Sequence, residues 1–424
     1  ERVSTDWDLT TDALPEEMLK FLPDAKYNND FGTVIVPIKD KDGNTEHVLE
    51  ITTYRSEQGY GDHRRPDEVQ FEKDLDKDLE RRDFTINALA LGFGKDKKSL
   101  EKYKESLGTY LSTYHGTYLI DLFGGEKDIK KRIIRAVGEP QDRFKEDALR
   151  MMRAVRFSAQ LGFDIEPKTE RAIEKLAGSL KFVAKERIQI ELIKILSAKH
   201  FFKGVNKLHE LKLLQYIIPE LYKGEGMPQN HHHIYSVFEH SMLSLKNCPN
   251  PEWQVRMAAW LHDIGKPTTR KFIKKEATFY NHEYAGERIV RKFMRRMNFS
   301  NDDTTRVTNL IRNHMFYYNT DEVTATSVRR LIRKTGRENL KDLIDVRIAD
   351  RLGSGTPKAM PYKLRHLQYM MEKVQNDPVS VKMLKINGND LMKELDLKPS
   401  PKLGAILDVL LSDVIEEPKN NTYD

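Results

Sequence analysis

Asp6-Trp7-Asp8 places two carboxylates two residues apart, so on a β-strand both point to one face while Trp7 turns to the other. Two such oxygen donors suit Mg2+, which takes carboxylates plus phosphate oxygens rather than a closed protein cage. A solvated turn is the alternative for any isolated Asp-x-Asp. Glu50, within LEITTYR on a second predicted strand, supplies a third carboxylate or is an ordinary half-exposed strand residue. Downstream, Arg64 and Arg65 in the glycine-bearing loop 55–71, and the Arg81-Arg82 pair of LERRDFTINALA, bring guanidinium forks. These forks match phosphate oxygens bidentately. Taken locally, RRD reads equally well as a helix-start ion pair.

The stretch EDALRMMRAVRF carries more information. At about 100° per residue, Ala148, Met151, Met152 and Val155 share one arc of a helix, while Asp147, Arg150 and Arg153 fan over another and Arg156 lies at the margin. A carboxylate accepts from a base amino group and a guanidinium donates to ring acceptors, so a fixed Asp/Arg pair can read a nucleobase edge. A solvated face remains the other reading. Further on, His240, His262-Asp263, His282, His314 and Asp350 form an ordered set. Neutral imidazoles with carboxylates suit divalent first-row metals, although each histidine alone reads as a packed or surface residue.

The elements that must position these residues change along the chain. FGTVIVPI (31–38) and EHVLEITTY (46–54) are β-branched and aromatic, and the KDKDGN between them reads as a hairpin turn. From about Asp142 the periodicity becomes helical, in EDALRMMRAVRFSAQLGF, ERIQIELIKILS and VRMAAWLHDI. An α/β start therefore precedes a long helical body, with Pro/Gly-bearing boundaries near 222–230 and 352–361. At 424 residues the chain holds more than one core, and its 71 basic against 65 acidic residues leave a net charge of only +6. That balance describes a globular protein that meets any nucleic acid through local patches. The single Cys248 forms no internal disulfide, and no apolar run is long enough to span a bilayer. A cytoplasmic protein without a membrane partner is expected.

It is the order of the motifs that identifies a family. DWDLTTDALPEE, GTVIVPI, LEITTYR, RRPDEVQF, LERRDFTINALA, LIDLFGGEKDI and RFKEDALRMMRAVRF closely resemble the bacterial tRNA nucleotidyltransferase and poly(A) polymerase family. The resemblance implies that Asp6 and Asp8 bind catalytic Mg2+ with Glu50 beside them. It also implies that Arg82 binds nucleotide phosphate, that Asp147 and Arg150 pair with the base of CTP or ATP, and that Arg153 and Arg156 add nucleotide contacts. Gly32-Thr33 and the loop 55–71 look like those of CCA-adding members. The family opens with a glycine pair and a Val-Arg-Asp helix upstream of the metal carboxylates. Here the sequence starts at Glu1 without them, so an N-terminally truncated sequence is expected.

HHHIYSVFEH and WLHDIGKP resemble the HD domain carried by such proteins, which implies His240, His262, Asp263 and Asp350 as core ligands of a divalent metal of unspecified identity. His282 and His314 would serve a second metal or phosphate. Ser236 stands where an aspartate is expected, and His231, His232 and His233 belong to a loop. The implied fold is α+β: a mixed-sheet nucleotidyltransferase head (1–140, with a tyrosine-rich insertion at 92–118), then an all-helical neck (141–225), HD body (226–375) and tail (376–424). The implied function is CCA addition to tRNA from CTP and ATP, with basic stretches 127–135 and 291–299 along the RNA and phosphohydrolysis as an added HD activity. Poly(A) synthesis, A-only addition, an HD phosphohydrolase with an inactive head, and tRNA binding without turnover are the alternatives.

Overall fold

A computed structural model describes residues 8–27, 32–58, 68–93, 117–229, 234–273, 276–316, 318–320, 323–355 and 359–423. Asp6, Arg64, Arg65, His231, His232, His233 and nearly all of the expected 92–118 insertion lie outside the described residues. The chain forms two compact units, Glu1–Ile217 and Ile218–Asp424. The expected head and most of the neck fall in the first, and the HD body and tail fall in the second.

The first unit begins with a mixed sheet of strands β1 (Asp8–Thr11), β2 (Lys26–Tyr27), β3 (Thr33–Lys39) and β4 (Thr45–Thr53) in the order β1-β4-β3-β2. β3 and β4 form the antiparallel hairpin that their β-branched and aromatic residues and the Asp-Gly step predict. Its turn is closed by Asp40, whose carboxylate accepts the N–H groups of Asp42 and Asn44 at 2.9 and 2.8 Å. Gly43 there takes a φ of +87°, which costs least without a Cβ. β1 lies parallel to β4 with Asp8 in register with Glu50, so the two carboxylates share one face. Helix α1 (Pro15–Phe21) follows β1, and among the described residues two antiparallel ribbons come next: β5 (Arg55–Gln58) with β6 (Glu68–Phe71), and β7 (Leu89–Phe93) with β8 (Thr117–Asp121).

Between the ribbons runs α2 (Leu75–Glu80), and after them α3 (Gly125–Lys131), α4 (Pro140–Glu146), α5 (Leu149–Leu161), α6 (Pro167–Leu176), α7 (Lys185–Leu196), α8 (Phe201–Glu210) and α9 (Leu214–Ile217). The neck, 141–225, was expected to be wholly helical. It contributes a short strand as well, β10 (Asp164–Ile165), which pairs in parallel with β9 (Ile133–Ile134) of the expected head. Ala148, Met151, Met152 and Val155 are fully buried, as the periodicity of α5 requires.

Arg156 is a correction. Its guanidinium is not part of the lining of the arginine-rich cavity described below. It is buried, donates to Glu191 of α7 at 3.0 Å and lies 4.3 Å from the Phe157 ring centroid. Burial lowers the Arg156 pKa and raises that of Glu191, each partly offset by the other's charge. The buried pair thus pins α5 to α7.

The second unit is mostly helical: α10 (Val237–Lys246), α11 (Trp253–Leu261), α12 (Lys266–Thr269), α13 (His282–Arg296), α14 (Asn301–Asn313), α15 (Ala325–Thr335), α16 (Leu340–Gly353), α17 (Tyr362–Lys373), α18 (Gly388–Glu394) and α19 (Pro401–Glu416). It too departs from an all-helical expectation, through the hairpin of β11 (Lys271–Ile273) and β12 (Glu276–Thr278). Trp260, Phe293, Val307, Leu343 and Val346 are fully buried among its helices. The Ser236 position, where an aspartate was expected, caps α10. Its hydroxyl accepts from the Glu239 N–H at 3.2 Å and Glu239 reaches back to the Ser236 N–H at 2.8 Å, a reciprocal capping box. Among the described residues no helix is long and apolar enough to cross a membrane.

Removing one partner of a buried ion pair leaves an uncompensated charge. Glu191→Ala is therefore expected to destabilise the first unit by about 3 kcal/mol. Urea unfolding followed by circular dichroism would show the first transition shifted to lower denaturant.

Candidate functional site

In the first unit a cavity of about 520 Å3 is lined by Asp8, Arg81, Arg82, Asp83, Asn87, Asp147, Leu149, Arg150, Arg153 and Arg187. Five arginines against three aspartates make the lining net positive, which favours a polyanion such as a triphosphate. Asp8 also lines an adjoining hollow with Thr10, Thr33, Thr52, Arg55, Arg81 and Arg82. Of the sequence-expected residues, Asp8, Arg82, Asp147, Arg150 and Arg153 come together here. Glu50 sits beside Asp8 in the sheet but is not among the lining residues.

Each cavity arginine is held by an acid or a carbonyl. Arg81 and Arg82 follow the end of α2 and share the fully buried Asp78, at 2.6 and 3.4 Å, so RRD is a helix-end arrangement rather than a helix start. Arg153 donates to Asp83 at 2.5 Å, and the other Asp83 oxygen accepts from the Phe84 N–H and the Asn87 amide. Arg150 donates to the carbonyls of Arg81 and Arg143 at 3.0 and 3.3 Å and to Glu146 at 2.5 Å.

The position of Asp147 corrects the helical-wheel reading. Asp147 is not on α5. It has extended backbone (φ −140°, ψ 105°) at the end of α4, and its carboxylate accepts the Leu149 N–H at 3.0 Å. An acid just before an apolar-periodic run is the N-terminal signature of a helix, and that signal was available in the sequence. Arg187 of α7 then grips both oxygens, Nη1 to Oδ1 at 3.2 Å and Nη2 to Oδ2 at 2.7 Å. Sequence reasoning missed Arg187 and Asp83. Arg187 stands one helical turn before Glu191, so α7 meets the Asp147–Arg156 stretch with two opposite-sign pairs, a pattern visible only once the two segments face each other.

The second unit gathers His240, His262, Asp263, His282, His314 and Asp350, each at or near a helix end or on a facing helix. His240 rides on α10, His262-Asp263 follows α11, His282 opens α13, His314 closes α14 and Asp350 lies on α16. His262, His282 and His314 each place Nδ1 on the carbonyl three residues back, those of Ala259, Phe279 and Ile311, at 2.9, 2.9 and 2.6 Å. A carbonyl only accepts, so Nδ1 carries the proton and Nε2 keeps its lone pair in the neutral ring.

Those Nε2 atoms converge. His240 and His262 stand 3.2 Å apart, and so do His282 and His314. Nitrogens that close share either a proton or a metal ion, and imidazoles gathered with carboxylates are the donor chemistry of a metal site. Asp263 faces both pairs: Oδ2 lies 3.2 and 3.3 Å from His240 and His262, and Oδ1 lies 3.2 and 3.8 Å from His282 and His314. Asp350 Oδ1 completes the first set, 3.3 Å from His240 and 3.6 Å from His262. Among the described residues two groups have the spacing to hold an ion, His240/His262/Asp350 and His262/Asp263/His314.

The charges of this centre are strongly coupled. Burial works against a charged His262, yet the Asp263 and Asp350 carboxylates push its pKa up to about 10. Burial likewise disfavours charge on Asp263, but His262 and Lys266 hold it well below the usual carboxylate range. His314 goes the other way, lowered well below the ordinary value by burial and by His262 and His282. Two cations that the sequence reading did not single out complete the centre, Lys266 on Asp263 at 2.6 Å and Arg347 on Asp350 at 2.8 Å.

Comparison with known proteins matches three families along the chain: "Poly A polymerase head domain" over residues 1–135, "Probable RNA and SrmB- binding site of polymerase A" over 162–223 and "HD domain" over 231–354. An A-adding tRNA nucleotidyltransferase of Deinococcus radiodurans is 32% identical over 361 residues, 81% of this chain and 76% of that one. A CCA-adding enzyme of Bacillus subtilis is 39% identical over 228 residues, 54% of this chain and 50% of the relative, so the match spans half of that protein's length. Among solved structures, the Bacillus stearothermophilus CCA-adding enzyme in complex with CTP superposes with a TM-score of 0.65 at 24% identity, covering 98% of this chain and 85% of that one. The Thermotoga maritima CCA-adding enzyme complexed with tRNA_CCA gives 0.56 at 20% identity, with 100% and 84% covered. These two share the fold.

Gly265 is where α12 and α13 touch most closely: a Cβ there would stand 2.1 Å from the His282 carbonyl oxygen and 2.5 Å from the Gly286 nitrogen. Gly265→Ala should displace the start of α13 and weaken Co2+ binding at the His282/His314 side by about tenfold or more. Visible absorption of the cobalt-loaded protein would report it.

Proposed function

Because the chain belongs to the tRNA nucleotidyltransferase and poly(A) polymerase family, we propose that it adds the CCA end to tRNA without a template, using CTP and ATP and releasing pyrophosphate. The observation that carries the reading is the net-positive cavity that unites Asp8, Arg82 and Asp147. Relatives and solved structures named as CCA-adding enzymes, some in complex with CTP, ATP or tRNA, support it. The proposal keeps the fourfold division at about 140, 225 and 375, and a cytoplasmic setting.

In this reaction the tRNA 3′-hydroxyl oxygen forms a bond to the α-phosphorus while the bond to the β-phosphate bridging oxygen breaks, and the electron pair leaves with pyrophosphate. Asp6 and Asp8, with Glu50 alongside, would hold Mg2+, which supplies charge neutralisation and a lowered hydroxyl pKa. Arg82, 33% exposed at its side chain, is placed to hold the triphosphate while Asp78 fixes its aim. Arg153, anchored on Asp83, adds a second cation from the opposite element.

Base choice falls to Asp147. Cytosine N4 and adenine N6 both donate, whereas uracil and guanine present a carbonyl at the equivalent position. A carboxylate clamped by Arg187 accepts from the first two and repels the others, leaving a misfit base with unpaired polar groups. Arg150 completes the pair by releasing its longest bond, the 3.3 Å contact to the Arg143 carbonyl.

The converged imidazoles of the second unit favour a second, separable activity, hydrolysis of a phosphate ester at a divalent first-row metal. His240, His262, Asp263 and Asp350 would be its core ligands, and His282 and His314 would hold a second ion or phosphate.

Incubation with tRNA lacking its CCA end, together with CTP and ATP, should extend the RNA by three nucleotides and stop. Runaway adenylation would instead indicate a poly(A) polymerase, and activity confined to tRNA ending in CC would indicate an A-adding enzyme. Asp8→Ala should lower nucleotide addition at least roughly a hundredfold and spare phosphatase turnover. Asp263→Ala should do the reverse, and loss of both activities in either variant would contradict two sites. Arg187→Ala should leave Asp147 free to turn. Discrimination of CTP and ATP against UTP and GTP should then fall by about tenfold or more, read as the ratio of kcat/KM values.

A further inference from the structure

Lys266 occupies a position in the second unit that its neighbours make chemically unusual. Its ammonium is buried, 2.6 Å from Asp263 Oδ2 and 2.6 Å from the Gln229 side-chain oxygen. Asp263 Oδ2 is the same oxygen that faces His240 and His262 at 3.2 and 3.3 Å. A metal ion bound to that oxygen at about 2.1 Å would stand within about 5 Å of the ammonium. Like charges so close in a buried site repel strongly.

The other internal cation behaves differently. Arg347 takes Asp350 through Oδ2, while Oδ1 faces the imidazoles. It is also tied to the carbonyls of His314 and Phe316 at 2.8 and 3.3 Å. Arg347 therefore leaves the ligand oxygen open and is fixed from several sides. Lys266 covers the ligand oxygen, on a flexible stem, with Gln229 as a second acceptor toward which it can withdraw. Asp263 and Asp350 are already balanced by Lys266 and Arg347, so the cluster offers an arriving dication no surplus negative charge.

We propose that Lys266 is a tethered competitor for the metal at the second unit's centre: its ammonium holds Asp263 Oδ2 in the empty state and must shift to Gln229 when a divalent ion binds. This makes Lys266 a positioning residue that sets metal affinity. The inference rests on the reading of this centre as a divalent-metal site.

The test is titration of the 424-residue chain with Co2+, read from the visible band of nitrogen-ligated cobalt, which an all-oxygen site does not give at comparable strength. Lys266→Met should tighten Co2+ binding at least roughly tenfold, and Lys266→Arg, which keeps the cation, should not. Gln229→Leu, which removes the withdrawal site and holds the ammonium on Asp263, should weaken binding, and it decides the matter should Lys266→Met fail to fold. Equal or weaker binding by folded Lys266→Met, or unchanged or tighter binding by Gln229→Leu, overturns the proposal. A band missing from wild type and all variants removes the metal-site reading itself, whereas a wild-type band unaltered by the substitutions removes only the competitor.

Discussion

A carboxylate taken out of water must meet a cation, and both units are organised around that requirement. In the first, Asp78 meets Arg81 and Arg82, Asp83 meets Arg153, Asp147 meets Arg187 and Glu191 meets Arg156. In the second, Asp263 meets Lys266 and Asp350 meets Arg347. Such pairs contribute little net stability, since desolvation offsets most of the attraction. Their consequence is geometric. Each charged group arrives at the cavity or the metal centre with its direction already set, so a ligand does not have to order it.

The two sites use that constraint to different ends. Around the first cavity the cations outnumber the acids, and the surplus positive charge is available for phosphate while the acid gripped by Arg187 remains a fixed acceptor for a base edge. Around the second centre the two carboxylates are balanced by Lys266 and Arg347, and imidazole nitrogens supply the rest of the donor set. Three imidazoles hold nearby carbonyls through Nδ1 at or beside helix ends. That one bond fixes each ring and aims its Nε2 inward.

Much of this was legible in residue order. The β-branched and aromatic content of 31–38 and 46–54 with a DG turn between them specified the β3–β4 hairpin, and the 3.6-residue period of 148–155 specified the buried face of α5, because both are local patterns. The histidine and aspartate set was legible as donor chemistry. The helical wheel went astray at Asp147, because it assumes that a helix continues through the polar residue that in fact starts it. It placed Arg156 at the margin of the apolar arc, but the partner buried against that arginine lies on another helix and is not visible in the wheel.

What the sequence alone determined was which side chains can donate, accept or ligate, and which segments are strand or helix, because hydrophobic period and side-chain chemistry are properties of neighbours along the chain. The tertiary structure alone decided the partners. Arg187 comes to Asp147 from forty residues away, and Gln229 comes to Lys266 from thirty-seven. The energy of a charge depends on what stands within a few ångströms of it and on how little water remains there, and neither is encoded in spacing.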